Sequence, residues 1–392
     1  MKVGAAIYSM LKDDSAVSAL VGTRIYPELA EEGAQTPYVV YSVVSNTPVD
    51  TKESAPVDEA QLEVFSVADT YAAANDLADK VRAALSRQSK KVLDTVTVQS
   101  IKYTNEVTEV SAERNLFISV QDYTARLTPV PLLLDVYGGA HAAYSLRRLR
   151  SNYTGPAITV VRLGVEKEIG FDADGNLDVT ALESFADGRD TYVKTWFDQG
   201  YLGNNATQSD SDDRPIATEG TGLTNKIDGR VALRFDGTSD AMPFDNTGLS
   251  IGSMSSLVVC KNNTTSGDQQ AFTGSGSASD KRWYAPRLVG GSFQYTIGDN
   301  SAVGTASGNT NNNLHTVIAG ATQGDVEAFL NGTSVGTKAL SSGIDAGEAS
   351  IGSRGAAAFM NGFVQEVIIY GSDQSVNRTV IENNINAYYD IY

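Results

Sequence analysis

The chain has 392 residues, of which 41 % are hydrophobic and 20 % are charged, an ordinary composition for a globular protein with room for two domains. Its formal net charge of −17 provides no basic surface for tight binding, so we expect no sequence-specific contact with nucleic acid. No apolar run approaches the ~20 residues that span a bilayer, so a membrane protein is not expected. The single cysteine, Cys260, excludes an intrachain disulfide.

The first segment of the chain has the pattern of two short helices. Val3, Ile7 and Leu11 recur at helical spacing, which predicts a first helix. Asp14 or Ser15 can cap a second short helix, which Gly22 would end.

Strand patterns follow. Residues 37–44 are almost continuously apolar, and residues 60–64 alternate between apolar and polar types. Asp69 is the predicted N-cap of an amphipathic helix, and two more strands are expected near residues 92–103 and 115–123. The sequence therefore predicts an α+β domain over residues 1–126, a mostly antiparallel sheet with helices on one side.

Four motifs of this domain resemble a known family: IYSML at residues 7–11, GTRIYP at 22–27, TPYVVY at 36–41 and LEVFS at 62–66. They are similar to the tail completion proteins, or tail terminators, of long-tailed bacteriophages. The resemblance implies a virion protein of the tail and neck that is assembled in the host cytoplasm. It implies a hexameric ring that caps the tail tube and meets the head connector, with no catalysis and no cofactor.

The composition changes after residue 126. Residues 127–134 contain two prolines, which favour an extended linker, and residues 135–392 are rich in Gly, Asn, Ser and Thr with short apolar runs. This texture is typical of an all-β unit. Residues 142–156 open it as a short helix or turn with three arginines, which we expect to pair with the protein's own carboxylates.

One acidic loop has the spacing of a calcium site. Oxygen-bearing side chains stand between Asp172 and Glu183 at the spacing of EF-hand ligands, but Gly175 comes two positions too early for that loop. A turn at Asp174–Gly175 with Asp178 capping a helix explains more of the residues. We therefore expect no metal, also because the two histidines are far apart in sequence.

The second unit resembles two related sandwiches. Residues 143–156 and 192–208 are similar to the sandwich domain of α-L-arabinofuranosidases. Residues 314–319, 326–332 and 363–370 are similar to concanavalin A-like, laminin-G-like jelly rolls. The resemblance implies a lectin-like domain over residues 135–392, facing outward from the ring and decorating it.

A carbohydrate site is one hypothesis for this domain. Trp283 and Tyr284, with Arg287 nearby, lie in a polar, glycine-rich neighbourhood and could form an aromatic platform for a host-surface glycan. The alternative is an aromatic pair that closes one end of the core. A third possibility is that the domain only braces neighbouring subunits.

Two other functions stay open at this point. A glycoside hydrolase needs two carboxylates about 5–10 Å apart, and no pair among the candidates must converge (Asp198, Asp236, Asp240, Glu327, Glu366). The absence of a secretory pattern at the start also argues against a secreted hydrolase. A receptor-binding tail-tip protein is the second alternative. We therefore predict a non-enzymatic protein.

Overall fold

The computed structural model describes residues 3–49, 57–86, 88, 91–93, 96–111, 114–129, 131–249, 254–275, 282–298, 301–320, 325–339, 349–355 and 357–392. Within these ranges, no helix has both the length and the apolar character to cross a membrane. The chain divides into two compact units, Met1–Val130 and Pro131–Tyr392.

The described part of the first unit contains three helices and six strands. In chain order they are α1 (Val3–Asp13), α2 (Ser15–Val21), β1 (Ile25–Pro27), β2 (Tyr38–Val49), β3 (Val57–Ala68), α3 (Tyr71–Leu85), β4 (Lys91–Leu93), β5 (Val96–Ser111) and β6 (Leu116–Pro129). The strands form one sheet in the order β1-β2-β3-β6-β5-β4, in which only the β1–β2 pair is parallel. The helices cover one face of this sheet, where Ile7 and Leu77 share a core with Leu62 and Tyr123.

The predicted helix ends are mostly confirmed. Asp14 Oδ1 accepts hydrogen bonds from the amides of Ala16 (2.9 Å) and Val17 (3.0 Å), and Gly22 ends α2 with a φ of 57°. The predicted cap of α3 is wrong by one residue: Thr70 Oγ1 accepts from the amide of Ala73 at 3.2 Å.

The predicted linker over residues 127–134 is much shorter in the structure. Leu127 is fully buried and pairs with Val98 of β5, so the last predicted strand continues to Pro129. Leu133 and Leu134 are also buried, in a one-turn helix of the second unit.

The described residues of the second unit form three helices and many short strands. In chain order they are α4 (Leu133–Val136), β7 (Ala140–Ser145), β8 (Ile158–Arg162), β9 (Val165–Ile169), α5 (Val179–Ala186), β10 (Thr191–Trp196), β11 (Ala206–Thr207), β12 (Ile216–Glu219), β13 (Leu223–Thr224), β14 (Lys226–Ile227), β15 (Arg230–Val231), β16 (Leu233–Asp236), β17 (Met242–Phe244), β18 (Met254–Asn262), β19 (Asp268–Gln270), β20 (Phe272–Ser275), β21 (Arg282–Val289), β22 (Ser292–Gly298), β23 (Ala302–Ser307), β24 (Asn312–Ala319), β25 (Asp325–Leu330), β26 (Thr333–Ala339), β27 (Ala349–Ile351), β28 (Asn361–Tyr370) and α6 (Arg378–Tyr389).

Two large sheets form the sandwich. The main path of one sheet is β26-β25-β24-β18-β28-β16-β12-β10-β8-β9, and that of the other is β17-β27-β20-β21-β22-β23. Val258 and Val367 of the first sheet share a core with Trp283 and Phe293 of the second. The predicted fold class, an α+β unit followed by an all-β sandwich, is confirmed.

The first sheet is buried on both of its faces. Along β18, Val258 and Cys260 belong to the core between the sheets, whereas Leu257 and Val259 pack with Ile385 of α6. A continuous apolar run is typical of such a doubly covered strand.

One prediction for the second unit is wrong in detail. The residues expected to open it as a helix or turn begin in strand β7, which pairs with β28. At the end of the unit, Ile381 and Ile385 of α6 are buried, whereas Val376, which precedes α6, is 94 % exposed.

Candidate functional site

The helix-free face of the N-terminal sheet carries a row of apolar side chains. Strand residues alternate between faces, so the neighbours of residues buried under the helices lie on the opposite face. Val40 pairs with Phe65, Phe65 with Val120, and Val120 with Val107, while Tyr26 of β1 pairs with Val40. We call these five residues the apolar row. It crosses the sheet from β1 to β5, where Val107 is 50 % exposed.

The residue rows on either side show how far this patch extends. On one side Tyr38 pairs with Val67 and Val67 with Ile118, but Tyr38 and Val67 are buried, so this row adds little accessible surface. On the other side the next row is polar and is made of Ser42, Glu63, Asp122 and Asn105. The apolar patch is therefore bounded by a polar row, as protein interfaces commonly are.

One edge of the sheet lacks a strand partner. β4 pairs only with Val96–Val98, and the amide of Ile101 donates to the Gln88 carbonyl at 3.3 Å. From Lys102 to Ser111, no described strand pairs with the outer side of β5. An unpaired strand of this length can bind a strand of another chain.

The opposite edge is protected. The amide of Glu28 donates to the Tyr41 carbonyl at 2.9 Å, and the amide of Val43 donates to Glu28 Oε1 at 3.3 Å. Further along β2, Pro48 has no N–H to offer. The two edges of the sheet therefore differ in their capacity to pair.

A polar cluster fixes the end of α3 against β5. The carboxylate of Glu106 accepts hydrogen bonds from Tyr103 (2.9 Å), Ser119 (2.9 Å) and Gln121 (3.2 Å). Burial alone would raise the pKa of Glu106, but these hydrogen bonds and the nearby Arg82 lower it overall. The Arg82 guanidinium stacks 3.8 Å from the centre of the Tyr103 ring. Glu106 thus stays charged at neutral pH.

Sequence reasoning missed the apolar row, although a signal was present. Residues 38–41 read YVVY and residues 64–65 read VF, so apolar side chains point to both faces of the sheet. A strand with only one covered face would alternate strictly.

The predicted aromatic platform is wrong. Trp283 and Tyr284 are 0 % and 1 % exposed, so neither ring offers a face to a sugar. Trp283 packs edge-to-face on Phe272 with 5.2 Å between ring centres. Gly274 lies directly under the indole, since a Cβ there would lie 2.1 Å from the ring. The alternative, an aromatic pair in the core, describes both residues.

Arg287 also has a structural role. Its Nε and Nη2 donate to the two carboxylate oxygens of Asp268 at 2.8 and 2.7 Å. Hydrogen bonding to Asp268 raises the pKa of Arg287, and the same pair lowers the pKa of Asp268. This two-pronged pair fixes the guanidinium against Asp268.

The candidate carboxylates of the hydrolase hypothesis are all engaged locally. Asp198 accepts from four backbone amides, Glu366 pairs with Arg147, and Asp236 accepts from the amides of Thr238 and Ser239. Asp240 accepts from the amide of Asp236, and Glu327 accepts from Ser334. Each of these contacts holds a turn, a strand or a helix of the sandwich.

The loop that begins at Asp172 folds as the turn-and-cap hypothesis predicts. Asp172 Oδ1 accepts from the amides of Asp174 and Asn176, both at 2.9 Å, and Asp178 caps α5 by accepting from Ala181 at 2.9 Å. Over the described part of the chain, no three acidic, histidine or cysteine side chains gather as metal ligands would. His315 is buried beside Tyr295, and burial lowers its pKa to about 3.

A shallow cleft lies elsewhere on the second unit. It has a volume of about 400 Å³ and is lined by Arg148, Tyr153, Glu168 and Phe171 among others. The Tyr153 and Phe171 rings meet edge-to-face, 6.2 Å apart, and burial raises the pKa of Tyr153 to about 12. No described carboxylate lies within ion-pairing distance of Arg148.

Comparison with known proteins connects the N-terminal unit to a phage family. A model of the family "Tail completion protein gp17" matches residues 5–128, which confirms the resemblance read from the motifs. The match lies within the N-terminal unit and does not extend to the second unit. No curated protein matches the chain in sequence.

Solved structures show weaker likenesses. The virion of a native gene transfer agent contains a chain that is 20 % identical, with a TM-score of 0.28, covering 32 % of this chain and 94 % of that one. A GH54 α-L-arabinofuranosidase is 15 % identical, with a TM-score of 0.49, covering 63 % of this chain and 62 % of that one. The carbohydrate-binding module CBM40 of a Ruminococcus gnavus sialidase is 12 % identical, with a TM-score of 0.30, covering 39 % of this chain and 98 % of the module. At these scores the likenesses carry no argument about function.

Proposed function

We propose that the chain is a structural virion protein of a phage-like tail. Its N-terminal unit would close into a hexameric ring that caps the tail tube and joins it to the head connector. Its second unit would be a lectin-like decoration domain on the outside of that ring. The family match over residues 5–128 supports the tail assignment.

The apolar row carries the proposal of self-assembly. Its exposed end, Val107, lies on the same stretch of β5 whose outer edge has no strand partner. Exposed apolar surface beside an open strand edge favours aggregation unless another chain covers it. A closed ring of identical contacts covers every copy's surface and stops growth, because the last copy meets the first.

A role without catalysis fits the carboxylates. Asp198, in the arabinofuranosidase-like segment, and Glu366, in a laminin-G-like segment, are 4 % and 0 % exposed and are held by backbone amides and by Arg147. A general acid or a nucleophile must reach its substrate. We therefore place these residues in the framework of the sandwich.

The test is the state of the full chain in solution and on tails. Native mass spectrometry should give a discrete species of six copies, and electron microscopy should show it as a ring at the head-proximal end of the tail tube. A chain that stays monomeric at high micromolar concentration contradicts the proposal. A ring located at the distal end of the tail would favour the tail-tip alternative.

Glycan binding is a second candidate function, now at the cleft of Arg148, Tyr153, Glu168 and Phe171. Half-buried aromatic edges, with guanidinium donors and a carboxylate acceptor beside them, are the groups that bind a sugar ring and its hydroxyls. One shallow site would bind weakly, but several copies on a ring would act together.

A glycan array probed with the full chain and with an Arg148→Ala/Phe171→Ala variant tests this candidate. We expect signal for the unchanged chain and its loss in the variant. Equal binding by the unchanged chain and the variant would place the glycan site elsewhere. Absence of binding by both favours a bracing role, and release of reducing sugar would restore the hydrolase hypothesis.

A further inference from the structure

Charge is distributed unequally along the N-terminal unit. The loop after β1 reads ELAEE over residues 28–32, which is three glutamates and no basic residue. The segment from residue 80 to residue 102 contains six basic residues and one acidic residue: Lys80, Arg82, Arg87, Lys90, Lys91 and Lys102 against Asp94. We call the first the acidic loop and the second the basic segment.

The sheet order places these two regions on opposite sides. The acidic loop follows β1, the strand at one edge, and the basic segment contains β4, the strand at the other edge. Glu31 and Glu32 are exposed, and so is Lys102, which lies where the open outer edge of β5 begins. Glu31 and Glu32 thus follow the strand at one edge of the sheet. Lys91 of β4 and Lys102 of β5 lie at the other edge, which we call the basic edge.

We propose that the acidic loop of one copy docks against the basic edge of the next copy. This inference rests on the proposed ring and names its contact surfaces. Opposite charges on opposite edges favour head-to-tail contact between copies. A two-fold contact between like edges would instead bring glutamates against glutamates, or lysines against lysines. The charge pattern therefore selects the type of contact that closes into a ring.

The binding partner is a second copy of this chain because each edge complements the other. Further along β5, Glu109 adds an acidic charge to the open edge, but Glu106 is turned into its own cluster with Tyr103, Ser119 and Gln121. Within the basic segment, Lys80 pairs with Asp76 and Arg82 stacks on Tyr103, so the proposed contact is assigned to Lys91 and Lys102. Glu28 is left out of the proposed contact, since its side chain holds the amide of Val43.

A charge-swap experiment on the full chain tests the proposal. The acidic-loop variant is Glu31→Lys/Glu32→Lys, and the basic-edge variant is Lys91→Glu/Lys102→Glu. Each variant alone would place like charges against each other, so we expect each to lose the ring, with an association constant at least tenfold lower. Circular dichroism and thermal unfolding should match the unchanged chain, and Lys226→Glu, an exposed position of the second unit, should keep the ring.

Mixing the two variants is the decisive measurement. In an alternating ring, the lysines of the acidic-loop variant meet the glutamates of the basic-edge variant, and the unchanged surfaces meet each other. Native mass spectrometry of the equimolar mixture should therefore show restored rings with equal numbers of both variants. If a reversal prevents folding, Glu31→Gln/Glu32→Gln and Lys91→Gln/Lys102→Gln should each reduce the salt dependence of assembly.

The outcomes separate this inference from the proposed function. Rings formed by each variant alone would overturn the charge-paired contact and leave the ring intact. Monomers in the unchanged chain would overturn both. Loss of DNA binding without loss of rings in Lys91→Glu/Lys102→Glu would assign the basic edge to nucleic acid and overturn the contact.

Discussion

Arg147 and Glu366 form a two-pronged ion pair inside the second unit, with Nε–Oε2 and Nη2–Oε1 distances of 2.8 and 3.0 Å. Their side chains are 10 % and 1 % exposed. Ser145 and Tyr389 also donate to Glu366, at 2.6 and 3.2 Å. Burial alone would lower the pKa of Arg147, but the charge of Glu366 raises it overall. The pair ties β7 and β28 to α6, and it confirms for Arg147 the expected pairing with the protein's own carboxylates.

Breaking this pair from one side should destabilise the second unit strongly. In Glu366→Gln the Arg147 charge stays buried without a counter-charge, which costs roughly 3–5 kcal/mol. Trp196 and Trp283 are the only two tryptophans and both lie in the second unit, so their fluorescence during urea unfolding reports on this unit. Lys194→Gln, which breaks the half-exposed pair with Glu166, should cost no more than about 1 kcal/mol. The double variant Arg147→Met/Glu366→Leu should lose less than Glu366→Gln, and a larger loss would contradict this account.

Asp198 should be needed for the loop that follows β10. Its Oδ1 accepts from the amides of Ala143 and Gly200, both at 2.7 Å, and its Oδ2 from Gly203 at 3.0 Å and Asn204 at 3.1 Å. In Asp198→Asn, an NH₂ group replaces one of these oxygens and faces two amide donors. We expect a loss of roughly 2–4 kcal/mol in unfolding free energy.

The loss in Asp198→Asn should come with faster proteolysis of residues 199–205. Asp210→Asn is the matched control, since exposed Asp210 accepts only from the amide of Asp212. Unchanged stability of Asp198→Asn would contradict this structural role and would favour a catalytic role for Asp198.

Asp240 should make the stability of the second unit depend on pH. Burial, followed by the nearby charge of Asp236, raises the pKa of Asp240 to about 7 from an ordinary 3.8. Between these two values the folded state holds a proton that the unfolded state releases. This stabilising contribution is present at low pH and is lost as the pH rises toward 7.

The Asp240→Asn variant removes this titration and keeps an oxygen to accept from the amide of Asp236. The free energy of unfolding of the variant minus that of the unchanged chain should therefore rise between pH 4 and pH 8, by about 2–4 kcal/mol. Tryptophan fluorescence during urea unfolding at each pH measures the difference. Parallel pH profiles would mean that Asp240 titrates normally.

The sequence predicts the fold of the first unit well because its apolar residues follow helical or strand periods. The sequence underestimates the lengths of β5 and β6, since residues 104–109 of β5 are mostly polar. There the backbone ladder with β6 holds the strand, and the side chains carry no periodic apolar signal. Backbone pairing between distant segments cannot be read from local composition.

The prediction that Trp283 and Tyr284 form an exposed platform is wrong for a related reason. Adjacent strand residues point to opposite faces, so a polar neighbourhood suggests that at least one of them is exposed. In the structure Trp283 enters the core between the sheets, and the Arg354 guanidinium lies 5.8 Å from the Tyr284 ring on the other side. This covering segment follows β27, some 70 positions later in the sequence.

Val107→Lys should weaken ring formation without affecting the fold. Val107 is 50 % exposed at the end of the apolar row, so a lysine there costs little in the free chain but would place a charge in the contact. We expect the dissociation constant between copies to rise about tenfold, or roughly 1.4 kcal/mol. Val165→Lys, a 57 % exposed position on the second unit, is the control for added charge. Equal assembly of both variants would place the contact elsewhere.

Truncation should reveal where the first unit ends. Leu127 is fully buried and pairs with both Val98 and Asp58, so a chain that stops at residue 126 loses the end of β6 and part of the core. A chain that stops at residue 130 keeps the whole sheet. Because the contacts divide at this point, we expect residues 1–130 to fold alone and to form the ring.

Residues 1–126 should unfold at a lower temperature by several degrees, since removing a buried leucine alone costs roughly 2–5 kcal/mol. Circular dichroism and native mass spectrometry of the two fragments measure both effects. Aggregation of residues 1–130 would show that the first unit needs the second to fold, and equal stability of the two fragments would place the boundary at residue 126.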